Sequence, residues 1–179
     1  MPKVRVGWHE LFAETVHAMQ SYGLLLTSLD RQQKPNPMTI GWASIGIMWA
    51  RPVFVVMVRP SRYTFGCIEL TGDFTVSVPY PQQREDVTYC GTASGRDVDK
   101  FADCGFKPLD IDQVSSPGIE QCAAVYFCRV IHRNDVIPQE LDEQVAQECY
   151  PADDYHRLYY GEIIEVLADE DAAGRLREG

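Results

Sequence analysis

A β-barrel with short helical insertions is the fold class this sequence predicts. Runs rich in β-branched and aromatic residues recur in series, the helix-forming stretches between them are short, and there is no regular alternation of strand with longer helix as a doubly wound parallel sheet requires. At 179 residues, with 45% apolar and 11% aromatic content, the chain has one domain's length and the material for one core. A charged fraction of 23% argues against disorder. We therefore expect one domain over residues 1–179.

The elements follow in chain order. Residues 9–19 carry Leu11, Phe12, Val16 and Met19 at the spacing of a short amphipathic helix. Residues 23–29 read as a strand, and residues 30–37 as a polar turn containing proline. Residues 38–47 and 53–58 read as two further strands, with Pro52 as the break between them. Ser61 is placed to cap a helix over residues 63–70, which Gly72 ends. Residues 74–78 alternate as a half-buried strand does. Helices are expected over 82–90 and 97–104, the second capped by Asp97 and closed by Gly105. A long strand over 122–132 and a last one over 158–167 enclose an acidic excursion, residues 136–155, broken by Pro138 and Pro151. Residues 169–179 are expected to fray.

Charge narrows the partners. The formal net charge of −10 disfavours nucleic acid and anionic lipid. No apolar run has the length of a signal peptide or a membrane span, so a soluble, cytoplasmic protein is expected. The six cysteines, Cys67, Cys90, Cys104, Cys122, Cys128 and Cys149, form no C-x-x-C pair. They read as reduced thiols packed as small hydrophobes, and no metal site is expected. One segment breaks the acidic trend: residues 31–68 hold no acid, but hold Arg31, Lys34, Arg51, Arg59 and Arg62.

Chemistry concentrates in three motifs. RPSRYT, residues 59–64, puts two arginines and two hydroxyls at a helix start, where free N–H groups and the helix dipole suit a phosphate. The alternative is a capped helix with solvated arginines. GTASGRDVDKF, residues 91–101, is a tight turn followed by a helix carrying Lys100; it is either a second contribution to the same anion site or a loop whose charges pair among themselves. NPMTIGWAS, residues 36–44, has Gly41 and Ala43, which allow a flat ligand close to the backbone, with Thr39, Trp42 and Ser44 beside it; it is otherwise a core strand with a bulge. His156 precedes the last strand. Neither a dinucleotide-binding G-x-G-x-x-G after a strand nor a Walker loop is present.

Taken in order, NPMTIGWASIGIMWARPVFVVMVRPSRYT, CGTASGRDVDKF and YHRLYYGEI resemble the flavin reductase-like, FMN-binding split-barrel proteins, in the branch related to flavoredoxin. The resemblance runs over most of residues 23–166. It implies a six-stranded antiparallel split barrel and a homodimer that binds FMN near the subunit interface. By the same resemblance, Met38, Thr39, Ile40, Trp42, Ala43 and Ser44 would lie along the isoalloxazine ring. Arg59, Ser61, Arg62, Tyr63 and Thr64 would hold the phosphate, with Ser94 and Lys100 approaching it. His156 matches a histidine near the ring and the nicotinamide. The implied activity is an oxidoreductase passing hydride from NADH or NADPH to flavin N5 and on to a small-molecule acceptor or a redox partner protein. An FMN electron carrier reduced by another protein is the alternative, and a barrel that has lost flavin a third.

Overall fold

A computed structural model describes residues 3–177 of the chain. Its elements, in order, are β1 (Val4–Arg5), α1 (Phe12–Ser21), β2 (Leu24–Leu29), β3 (Pro35–Ile40), β4 (Ala43–Met48), β5 (Arg51–Val58), α2 (Tyr63–Thr71) and β6 (Asp73–Val78). There follow α3 (Arg84–Thr92), α4 (Lys100–Asp103), β7 (Pro108–Ile111), β8 (Val114–Ile119), β9 (Ala124–Asp135), α5 (Glu143–Cys149), β10 (Arg157–Ala168) and α6 (Ala172–Arg177). No helix among the described residues is long and apolar enough to cross a membrane.

The main sheet runs β3-β2-β6-β9-β10-β5-β4, with β1 on β10 and every pairing antiparallel. Strands β3 and β4 stand at opposite ends of that order, yet only Gly41 and Trp42 separate them in sequence. Three residue steps reach at most about 11 Å, so the sheet must curl until its two edges meet. That closure makes the barrel, and the corner at Gly41–Trp42 is where it is split. The fold class is the mainly β one expected. The strand count differs: the predicted strand over 38–47 divides at this corner, and the two-residue β1 brings the sheet to eight strands.

Inside the barrel, Leu24, Leu26, Phe54, Val56, Phe74, Tyr126 and Tyr159 form the main core. Phe54 and Tyr126 meet edge to face at 5.3 Å between ring centroids. Both buried phenols find partners: Tyr126 pairs with Thr15 Oγ1 at 3.0 Å, and Tyr159 donates to Glu69 Oε1 at 2.8 Å. A second cluster of Leu25, Val87, Cys90, Phe101, Phe106, Ile119 and Cys122 lies outside the barrel. It fixes α3 and α4 against β2, and so positions the loop between those helices.

Several local expectations are corrected. The turn between β4 and β5 is not at Pro52, which lies within β5, but at Trp49–Ala50, both with positive φ (50° and 57°). With Met48 paired to Arg51, this is a two-residue hairpin loop of the type that usually takes Asn-Gly, so neighbouring packing overrides the local cost. Asp99 caps α4 rather than Asp97, accepting from the Ala102 N–H. Residues 169–177 are not frayed: Ala172 and Leu176 are buried in the core, and Arg177 pairs with the buried Glu14. Apolar positions four apart, backed by an ion pair, give α6 the contacts that keep it in place. Residues 178 and 179 of the expected tail lie outside the described residues. Within the acidic excursion, α5 starts on Asp142, which accepts from the Gln144 and Val145 N–H groups.

Candidate functional site

The cationic stretch, the α3–α4 loop and the end of the acidic excursion converge at the split edge of the barrel. They enclose a two-lobed cavity. One lobe, about 200 Å³, is bounded by residues 38–42 with Met57, Arg59, Arg62, Gly91 and His156. The other, about 180 Å³, lies between residues 61–64, residues 90–96 and Lys100. The lobes are neighbours, with Met38, Arg62 and Gly91 bordering both.

The first lobe is partly apolar. As the edge strand, β3 has partners on one side only, which leaves alternate N–H and C=O groups for a ligand. The Thr39 hydroxyl donates to the Val87 carbonyl at 2.5 Å and ties β3 to α3. Trp42 stands at the corner with its ring 5.2 Å from that of His156. His156 is 8% exposed. Burial, and next the Arg59 guanidinium, push its pKa down to about 4, with Asp154 opposing and Arg62 adding. The imidazole is therefore neutral at physiological pH.

The second lobe is cationic. Lys100 is 4% exposed, and its ammonium has a single acceptor among the described residues, the Cys90 carbonyl at 3.2 Å. Burial pushes its pKa down, with Cys90 opposing and Arg62 adding to the fall. The Arg62 guanidinium, also in this lobe, makes no hydrogen bond or ion pair with another described residue. Among the described residues no carboxylate lines the lobe. Two convergent cations with so few partners leave room for one doubly charged anion.

The remaining expected residues are placed as follows. Arg59 donates to the carbonyls of Asp154 and Cys149 at 3.2 and 2.9 Å, bracing the end of the excursion beneath the first lobe. Ser61 is not the helix cap: α2 starts after Arg62, and Ser61 Oγ donates to Asp154 Oδ2 at 2.5 Å. Tyr63 donates to Asp30 Oδ2 at 3.2 Å, and Thr64 Oγ1 accepts from Asn36 Nδ2 at 2.8 Å. Ser94 Oγ accepts from the Arg96 N–H at 3.2 Å. Met38 and Ile40 line the first lobe, whereas Ala43 and Ser44 line neither; they sit at the start of β4, past the corner.

Sequence reasoning missed Met57, Arg96 and Tyr150. Arg96 was legible as the arginine of the SGR turn; its guanidinium donates to the Ser61 carbonyl at 3.2 Å and lies 5.6 Å from the Tyr63 ring centre, clamping the two halves of the second lobe. Gly95 fits between them because a Cβ there would fall 2.0 Å from Asn36 Oδ1 and 2.6 Å from Tyr63 Cδ1. Met57 and Tyr150 carry no local signal. The six cysteines are free, and four are buried. Burial pushes the Cys67 thiol up to about 11 and that of Cys90 up to about 12, which suppresses thiolate chemistry. Among the described residues no group of three His, Cys, Asp or Glu is placed to hold a metal ion.

Known proteins share this fold. The flavoredoxin of Desulfovibrio vulgaris (Miyazaki F) is 27% identical and superimposes with a TM-score of 0.67, over 83% of this chain and 70% of that one. An FMN-binding domain of a flavin reductase-like enzyme from Shewanella baltica OS155 shares the fold at 21% identity, with a TM-score of 0.64, over 93% of this chain and 77% of that one. An uncharacterized protein of Archaeoglobus fulgidus is 30% identical over 134 residues, 75% of this chain. The match spans 66%, just under two thirds, of that relative's own length. The model of the flavin reductase-like domain matches residues 16–177, nearly the whole chain, and the chain belongs to that family.

Proposed function

We propose that the groove binds FMN and that the protein is a cytoplasmic NAD(P)H-dependent flavin oxidoreductase. The observation that carries the reading is Lys100, a buried ammonium with one carbonyl acceptor, facing a lobe that also holds the unpaired Arg62 and no acid. A phosphate monoester supplies the missing charge and acceptors. The phosphate lobe adjoins a partly apolar lobe along an edge strand, which suits a ring with polar edges attached through a short chain.

In this reading Arg62, Lys100, Ser94 and the backbone of the 91–95 turn hold the phosphate. The β3 backbone offers hydrogen bonds to the ring edge, and Met38, Met57 and Trp42 exclude water from it. When bound, FMN supplies a ring that takes up a hydride and passes electrons on. The chain's own part is to bind, orient and shield. The neutral His156 borders the space where a nicotinamide would lie, stacked within the same lobe.

FMN added to the purified protein is expected to give a yellow complex, and NADH or NADPH added without oxygen is expected to bleach it. A colourless protein that takes up no FMN would sink the reading. A yellow protein that neither nicotinamide bleaches would assign the carrier role, with reduction by a partner protein.

A homodimer is part of the same proposal. Ile47 and Trp49 are 58% and 61% exposed at the β4–β5 hairpin, and Trp49 rests on His132 and Tyr160 at 5.6 and 5.8 Å. An apolar, rigid and strained hairpin is a surface that a second copy would cover. Sedimentation equilibrium is expected to give twice the chain mass, and Trp49→Glu to give a monomer. A monomeric wild type would refute the dimer without touching the FMN site.

A further inference from the structure

Tyr150 is buried at the end of the acidic excursion, and its phenol oxygen lies 2.8 Å from His156 Nδ1. Its ring is held on several sides. Tyr155 stacks on it at 4.7 Å and 25°, the Arg59 guanidinium lies 5.2 Å from its centre, and Trp42 approaches edge-on at 6.5 Å. Arg59 in turn grips the carbonyls of Cys149 and Asp154, on either side of Tyr150 in the chain. A phenol so confined cannot follow the imidazole; the imidazole must accommodate the phenol.

The direction of the hydrogen bond follows from counting donors. If His156 Nδ1–H donated to the phenol, the buried O–H of Tyr150 would have no acceptor among the described residues and would keep its full desolvation cost. If the phenol donates, both atoms are satisfied. A neutral imidazole has one N–H, which then sits on Nε2, the nitrogen left for the ring lobe that His156 lines.

We propose that Tyr150 is a positioning residue that locks His156 in its Nε2–H tautomer, so that this N–H donates to a carbonyl oxygen of the molecule bound along residues 38–42. The tautomer follows from the geometry alone; its use rests on the flavin reading above. The carbonyl belongs either to the flavin or to the carboxamide of the hydride donor. The lock makes the histidine a fixed donor rather than a base, so no proton need leave it during turnover.

The test begins on ligand-free, 15N-labelled protein, by two-bond 1H–15N correlation of the histidine rings. His156 is expected to show a protonated Nε2 and an unprotonated Nδ1; the reverse pattern would overturn the proposal. In Tyr150→Phe the two ring nitrogens are expected to move toward each other as the tautomers interconvert. A His156 pattern unchanged in a folded Tyr150→Phe protein would reduce Tyr150 to a packing residue and also overturn it. His156→Gln, whose amide N–H reaches where Nε2–H was, is expected to retain function. His156→Asn, which reaches only the Nδ1 position, is expected to lose about tenfold, the scale of one hydrogen bond. A loss in FMN affinity assigns the carbonyl to the flavin, and a rise in KM for NAD(P)H assigns it to the hydride donor. Equal behaviour of the Gln and Asn variants would refute the donor role. Failure of wild-type protein to take up FMN would overturn the flavin reading while leaving the tautomer result intact.

Discussion

Lys100→Met is expected to weaken FMN binding by about 10–100-fold while raising the thermal midpoint of the ligand-free protein. The first effect is the loss of a charge-assisted contact to phosphate, roughly 1.5–3 kcal/mol. The second has the opposite sign because, without ligand, the ammonium is buried on a single carbonyl with Arg62 nearby. A methionine fills the same space without a charge to desolvate. Each 1 kcal/mol gained is about 2–4 °C in a chain of this size. Riboflavin, which lacks the phosphate, separates the contributions: its affinity is expected to stay within about twofold on the same scale. Arg62→Ala is the companion experiment. Its guanidinium is exposed and unpaired, so FMN affinity is expected to fall with little change in the ligand-free midpoint. Titration of both ligands, with thermal denaturation, checks each point. If Lys100→Met lowers the ligand-free midpoint and leaves FMN affinity intact, Lys100 is a structural residue and the phosphate lies elsewhere.

The largest stability effect is expected at Gly161, in the strand that joins the two halves of the barrel. A Cβ there would fall 2.5 Å from Phe74 Cζ and 2.7 Å from Cys128 Cβ. The register between β9 and β10 shifts at this same point, so the close approach is built into a bulge. Gly161→Ala is therefore expected to cost about 2–3 kcal/mol by overpacking. Phe74→Leu, which removes the ring atoms in the way, is expected to recover part of that loss in the double variant. Urea denaturation of the four proteins of the cycle measures the coupling. Additive effects would mean that the strand shifts instead of clashing with Phe74.

Short-range signals account for what could be read along the chain. The strand runs of β5, β6, β9 and β10 and the Gly72 helix stop declared themselves through β-branched content and a residue able to adopt positive φ. The cationic lobe was legible too, because most of its lining comes from two contiguous stretches, 59–64 and 91–101, with unusual charge and turn chemistry. Fold class and family membership were thus determined by the sequence itself.

Tertiary structure decided what depends on residues distant in the chain. Barrel closure brings Met57 to the first lobe and Tyr150 against His156, yet neither stands in a segment whose composition marks it. Ser61 looked like a helix cap until folding brought Asp154 within 2.5 Å of its hydroxyl, a partner 93 residues away. The tail from Asp169 looked polar and loose, but Leu176 reaches the core and Arg177 finds Glu14, 163 residues earlier. The physical reason is common to all of these. Local propensities are worth tenths of a kcal/mol to about one per residue, whereas a buried side chain or a paired buried charge is worth more. The sequence states the first directly; the second exists only after the sheet has curled and its edges have met at Gly41–Trp42.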